Sequence, residues 1–227
     1  GGHKMTLSSV SALTGIPVSH YILIDTSAFE RIVDAVGGVD ITVEKRMYYE
    51  DPWDDDGGLV IDLLPGAQHM DGAHAIQYVR YRDGEGDIGR IRRQQNFMRA
   101  FFDQLISPQL LPRLSGVIDE VKNAVETDLT ARQLLSLAKR LKDAERRPVM
   151  LMVEGAPAYL GDVSYWIPNI IETRAALFEG VGKTFPVSMR EEAEHDASVY
   201  RSEMPDRLRV MTETDERELL PSSAELL

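Results

Sequence analysis

Six arginines fall within residues 80–99 (positions 80, 82, 90, 92, 93 and 99) against Asp83, Glu85 and Asp87, a local excess of three positive charges in an acidic chain. Guanidinium groups are planar forks that match phosphate oxygens, and several held together repel one another unless an anion lies between them. Arg80 and Arg82 are two apart, so on extended backbone both side chains leave the same face. Gly84 and Gly86 then lead into a helix near Asp87, a residue type suited to the N-cap. With Arg90 set at zero and roughly 100° per residue, Phe97 falls near −20°, Phe101 near 20° and Gln94 near 40°. Ile91, Met98, Phe102 and Leu105 fall between roughly 60° and 120°.

Arg90 and Gln94 therefore share the apolar stripe, Arg92 and Arg99 face solvent, and Arg93 sits at the edge. An unpaired charge turned toward a core costs several kcal/mol, so these groups must pair internally or face a polar cavity. If the face of Arg80 and Arg82 looks toward the helix start, Arg80, Arg82, Arg90 and Gln94 converge where the helix dipole also favours an anion. One reading is a phosphate or pyrophosphate site. The other is an ion-pair network with Asp83, Glu85 and Asp87.

Other candidates are less specific. The acidic stretch Glu50–Asp56 has no EF-hand spacing and reads as a solvated hairpin tip. His69 and His74 are five apart without cysteine companions, which is no metal-ligand pattern. Tyr48, Tyr49 and Trp53 suit either sugar stacking or packing at a strand end. Phe97, Phe101 and Phe102, with Val33 and Val36, suit either a groove for a lipid or ordinary core.

The elements that must position these residues alternate. Tyr21–Ile24 is a short apolar strand, Asp25–Ser27 a cap region, and Phe29, Ile32, Val33 and Val36 repeat at helical spacing until Gly37-Gly38. Val39–Val43 alternates as a strand, completing a strand–helix–strand unit. Leu59–Leu63 is another strand, Pro65-Gly66 a turn, and a helix follows at about 71–80. Helices are expected at about 88–106, 109–124 and 130–142, then a strand at Val149–Val153 and a helix from Pro168 to about Phe178. The pattern is α/β, with helices covering a mixed sheet.

The 227 residues carry a net charge of −12, are 43% apolar and include no cysteine. The charge argues against a general nucleic-acid binder, since counterion release needs a basic surface. The missing thiols exclude disulfides, thiolate metal sites and cysteine nucleophiles. No run reaches the roughly 18 apolar residues of a membrane span. From Lys183 onward six basic residues face eleven acidic ones, so residues 183–227 are expected to form an acidic, partly disordered tail behind a domain at 1–182.

Several ordered motifs resemble the LytR-CpsA-Psr family of cell-envelope proteins. They are Ile32-Val33-Asp34-Ala35-Val36-Gly37-Gly38-Val39-Asp40, Met47-Tyr48-Tyr49-Glu50-Asp51-Pro52, and Leu64-Pro65-Gly66-Ala67-Gln68-His69-Met70-Asp71-Gly72. Ala75-Ile76-Gln77-Tyr78-Val79-Arg80-Tyr81-Arg82 and Gly86-Asp87-Ile88-Gly89-Arg90-Ile91-Arg92-Arg93-Gln94-Gln95 continue the series. The resemblance is strong to about residue 106 and looser to about 180, where it includes Glu126-Thr127-Asp128-Leu129-Thr130.

It implies an αβα sandwich with a mixed central sheet, and a phosphotransferase that moves glycopolymer phosphate, such as wall teichoic acid or capsule, from a polyprenyl-pyrophosphate carrier to peptidoglycan. By motif match, Arg80, Arg82, Arg90, Arg93 and Gln94 fall on or beside the pyrophosphate-contacting positions. Asp87 is the candidate catalytic base or an N-cap. Family members use Mg²⁺ and sit outside the cytoplasmic membrane on an N-terminal anchor. Gly1-Gly2 resembles a double glycine inside the family domain, so the resemblance implies that the anchor, the metal carboxylates and an N-terminal half acting as partner are absent here. A non-catalytic polyprenyl-pyrophosphate or glycan-binding scaffold and a transcriptional attenuator are the alternative functions.

Overall fold

A computed structural model of the chain describes residues 2–54, 58–82, 86–110, 112, 114–144 and 148–211, with backbone alone at 86–88. The chain forms two compact units, one of His20–Pro148 and one joining Gly1–Ser19 to Val149–Leu227. This division differs from the boundary expected at 182. Helix α1 (Gly2–Thr14) belongs to the second unit.

The His20–Pro148 unit begins with β1 (Ile22–Leu23) and α2 (Thr26–Val36). The Asp25 carboxylate accepts from the Ala28 N–H at 2.7 Å to start α2, and Gly37, at φ 89°, ends it in the left-handed conformation that glycine alone adopts cheaply. Ala28, Ile32, Val33 and Val36 form its buried stripe. Strand β2 (Val39–Val43) buries Val39, Ile41 and Val43 and exposes Asp40 and Thr42. Strands β3 (Met47–Asp51) and β4 (Leu59–Leu63) form an antiparallel hairpin, and β5 (Gly66–Met70) returns against β2.

Helix α3 (Gly72–Arg80) starts on an Asp71 cap, and α4 (Gly86–Leu105) follows. A Cβ at Gly72 would lie 2.3 Å from the Glu30 carbonyl, so the crossing of α2 and α3 requires glycine there. Helix α5 (Leu114–Ala124) starts later than expected, behind Pro112, which offers no N–H to an earlier turn. Strand β6 (Glu126–Thr127) pairs with β1, and α6 (Ala131–Asp143) opens with a Thr130–Gln133 capping box. The main core of this unit gathers Val33, Val39, Ile41, Met47, Ile61, Leu63, Met70, Tyr78 and Phe97.

In the second unit, β7 (Gly155–Leu160) and β8 (Val163–Pro168) pair around the two-residue turn Gly161-Asp162, with Gly161 at φ 61°. Helices α7 (Ile170–Gly180) and α8 (Val187–Ser202) follow, and β9 (Arg209–Val210) adds to β7. The strand expected at Val149–Val153 is irregular backbone with Val149, Leu151, Met152 and Val153 exposed, because an apolar run without a paired partner is not a strand. Residues 187–211 are likewise no solvated tail. Ala193 and Ala197 of α8 are buried with Ile170, Ala175 and Phe185, a small-residue face that charge counting does not reveal.

Buried Arg174 of α7 donates to the carbonyls of Ala12 and Leu13 at 2.7 and 3.1 Å and to Asp196 of α8 at 2.6 Å, capping the last turn of α1. The α/β class holds, and among the described residues the strands pair antiparallel in four small sheets. Among the described residues no helix is long and apolar enough to cross a membrane.

Candidate functional site

The inward face of the β3–β4 hairpin changes character along its length. Met47, Ile61 and Leu63 are buried in the core, and on the same face Tyr49, opposite Ile61, and the next pair, Asp51 and Leu59, line a cavity instead. Its volume is about 520 Å³, and its remaining walls are Asp54, Val79, Arg80, Arg82, Arg90 and Gln94. The four donors expected to converge do converge. Their backbone differs from expectation in one respect: Arg80 closes α3, and the turn to Arg82 is made at Tyr81, at φ −56° and ψ 132°.

Asp51 is fixed by donors from its own hairpin, the Trp53 N–H at 3.0 Å and the Tyr49 hydroxyl at 3.4 Å. Arg80 is held from the same hairpin: its Nη2 donates to both carboxylate oxygens of Asp54, at 2.8 and 2.9 Å. Gln94 Nε2 donates to the Val79 carbonyl at 3.3 Å, which orients its amide across α3. Among the described residues, three guanidinium groups and two carboxylates line the cavity. Asp51 and Asp54 are thus the site residues that sequence reasoning missed. The acidic run hid them as a solvated tip, although alternation from buried Met47 through Tyr49 puts Asp51 on the inner face.

Arg93 is not in the cavity wall. Its side chain is 2% exposed, donates to Glu44 at 3.2 Å and to the Tyr81 carbonyl at 3.0 Å, and stacks 5.1 Å from the Tyr81 ring centroid. The motif match puts Arg93 on or beside the phosphate-contacting positions, and in the structure its guanidinium is turned to Glu44 and Tyr81, which follow β2 and α3. Beside it, burial raises the pKa of Tyr78, opposed by a hydrogen bond with Asn96.

Val33, Val36 and Phe97 are packed in the core, and half-buried Phe101 stacks on Phe97 at 5.9 Å between centroids, so these side chains form interior rather than an open lipid groove. Asp87 is the second residue of α4 and its side chain lies outside the described residues, as do Asp83 and Glu85.

The Mg²⁺ implied by the resemblance does not fit the donors described. Asp54 is engaged by Arg80 and Asp51 by two hydrogen-bond donors, and among the described residues no three His, Asp or Glu side chains group to hold a metal ion. His20, His69 and His74 stand instead in single pairs with Asp128, Asp40 and Asp71.

Comparison with known proteins adds a consistent finding. The model of the LytR_cpsA_psr family matches residues 1–177. The polyisoprenyl-teichoic acid–peptidoglycan teichoic acid transferase TagV of Bacillus subtilis is 27% identical over 192 residues, which are 81% of this chain and 49% of that protein. The transferase TagU of Bacillus cereus is 29% identical over 173 residues, 74% of this chain and 54% of that one. The chain spans about half the length of the curated relatives it matches. Among solved structures, an Enterococcus faecalis protein described as a transcriptional regulator superposes with a TM-score of 0.70 at 26% identity, covering 89% of this chain and 73% of that one.

Proposed function

Since the chain belongs to the LytR_cpsA_psr family, we propose that it serves attachment of a cell-wall glycopolymer to peptidoglycan, holding the pyrophosphate of a polyprenyl-linked donor between Arg80, Arg82, Arg90 and Gln94. The observation that carries this reading is the convergence of those three guanidinium groups and one amide on a single cavity. Relatives named as teichoic acid transferases support the chemistry.

An acceptor hydroxyl attacks the phosphorus bonded to the glycan. The bond from that phosphorus to the bridging oxygen breaks, polyprenyl phosphate leaves with the electron pair, and the hydroxyl proton passes to a base. Catalysis of such a transfer is mostly positioning and charge neutralisation. Arg80, Arg82 and Arg90 bind the phosphate oxygens and gain strength as charge gathers on the departing phosphate. Gln94 orients one oxygen, and Asp87, at the start of α4, is the candidate base. Both donor and acceptor place the reaction outside the cytoplasmic membrane, where an anchored parent protein would work.

The test is calorimetric binding of farnesyl pyrophosphate to the full chain. Arg80→Ala and Arg90→Ala are expected to weaken it about tenfold or more, as loss of a charge-assisted contact does. Arg92→Ala and Arg99→Ala, on the solvent face, leave it unchanged. Equal affinity in all four variants overturns the site. Transfer of lipid-linked glycan to peptidoglycan separates an enzyme from a protein that only binds.

A further inference from the structure

The sheet of the second unit sorts its side chains by kind. Residues paired across strands share a face, so Gly155, Pro157 and Tyr159 of β7, Ser164 and Trp166 of β8 and Arg209 of β9 lie on one side. The aliphatic residues Ala156, Ala158, Leu160, Ile167 and Val210 lie on the other. That side faces the helices: Ala158 is buried, and Ala156, Ile167 and Val210 share a cavity of about 470 Å³ with Ile170 of α7 and Ala197 of α8. The first side keeps its two large rings in solvent, Trp166 at 46% and Tyr159 at 39% exposure.

Trp166 is held in place as well as exposed. Its indole Nε1–H donates to the Val153 carbonyl at 3.0 Å, and Nε1 stands 2.7 Å from where a Cβ of Gly155 would be. The bare glycine therefore lets the indole lie close on the sheet with its one polar group satisfied. A ring already fixed in one orientation loses little further entropy when a ligand packs on it. Pro157 stands opposite Trp166 and Ser164 opposite Tyr159, so the two rings form a diagonal pair with Pro157 between them along β7.

A pyranose with equatorial substituents has C–H faces and a rim of hydroxyls. The faces suit a fixed aromatic ring, and the rim needs polar neighbours, which Ser164 and the Tyr159 hydroxyl provide. A polyol phosphate has no such face. An aliphatic protein surface would take Ser164 and Arg209 out of water without replacing their hydrogen bonds. We propose that this face of the sheet holds the glycan strand of peptidoglycan, laid along β7 so that its sugar rings meet Tyr159 and Trp166. The assignment rests on the attachment function proposed for the chain, to which it adds a hold on the acceptor by residues distinct from Arg80, Arg82, Arg90 and Gln94.

Trp53 and Trp166 are the only tryptophans, so a Trp53→Phe protein reports on Trp166 alone. The full chain, residues 212–227 included, is titrated with chitotetraose, a soluble run of four N-acetylglucosamine rings. A saturable change in Trp166 emission is expected, and Tyr159→Ala, which leaves the Trp166 bond to Val153 in place, should weaken it about three- to tenfold. Cosedimentation with purified peptidoglycan should fall in Tyr159→Ala and in Trp166→Ala. Unchanged emission at millimolar chitotetraose overturns the proposal, as does equal affinity in the Tyr159→Ala protein. A response to glycerol phosphate equal to that to the sugar, or to phosphatidylglycerol vesicles in place of the sugar, also overturns it. Farnesyl pyrophosphate binding by the same proteins separates the two readings: retained where the sugar fails, it leaves the arginine cavity standing and removes the sheet site, and lost where the sugar binds, it removes the cavity reading and leaves the sheet as a glycan site.

Discussion

The imidazole of His69 bridges Asp40 and the end of α2: Nδ1 stands 2.8 Å from the Asp40 carboxylate and Nε2 stands 2.9 Å from the Gly37 carbonyl. Both neighbours are acceptors, so only the doubly protonated ring satisfies both. The hydrogen bond with Asp40 accordingly raises the His69 pKa above its ordinary 6.5.

A raised folded-state pKa contributes stability that is fully present below the unfolded value and fades as pH rises through the folded one. Urea midpoints should therefore fall between about pH 5.5 and pH 8.5, and His69→Gln should remove part of that fall. The effect is small, because the His69 side chain is 61% exposed. An identical pH slope in the variant would refute the assignment.

Gly72 and Gly116 make opposite predictions. Gly72→Ala drives a methyl group against the Glu30 backbone and should cost about 1 to 3 kcal/mol, as overpacking does. Among the described residues nothing beyond its chain neighbours and its own helix backbone comes within 4 Å of a Cβ at Gly116, which lies inside α5, so Gly116→Ala should stabilise by about 0.5 to 1 kcal/mol. Denaturant unfolding of the two variants checks both signs.

Arg93 and Arg90 are neighbours on α4 with different duties. Arg93→Ala strips donors from the Tyr81 carbonyl and Glu44 and empties a buried space, and should lower stability by about 2 to 4 kcal/mol. Because Tyr81 joins Arg80 to Arg82, farnesyl pyrophosphate binding should weaken as well. Arg90→Ala, in the cavity wall, should weaken binding about tenfold or more.

Arg174→Met should free the last turn of α1 by removing donors to Ala12 and Leu13 along with the pair to Asp196, at a cost of about 3 kcal/mol. Limited proteolysis should then cut within residues 2–14 well before it cuts α2.

Local signals carried the reading where they were strong. Asp25, Gly37 and Thr130 mark helix ends, and the angular wheel brings Arg90 and Gln94 to the face where Arg80 and Arg82 arrive. The wheel puts Arg93 at a stripe edge and the motif match puts it beside the ligands, and neither signal reveals that Glu44 and the Tyr81 carbonyl engage it. Asp54 was hidden for a related reason: an acidic, turn-rich run describes its average surroundings, and one of its members turns inward to an arginine 26 residues away in sequence. In the second unit the apolar run 149–153 was the conspicuous signal, and the short Gly161-Asp162 turn that sets the β7–β8 pairing was the decisive one.

The hold of Arg174 on α1 also fixes an order of events during synthesis. Leu13 and Arg174 are 161 positions apart, so α1 leaves the ribosome long before its cap exists. At about 5 to 20 residues per second, that interval lasts on the order of ten seconds or more. The His20–Pro148 unit has every segment of its core in hand before α7 is made. During that interval α1 is an unfinished helix beside a finished unit, and it is the segment open to a chaperone or protease.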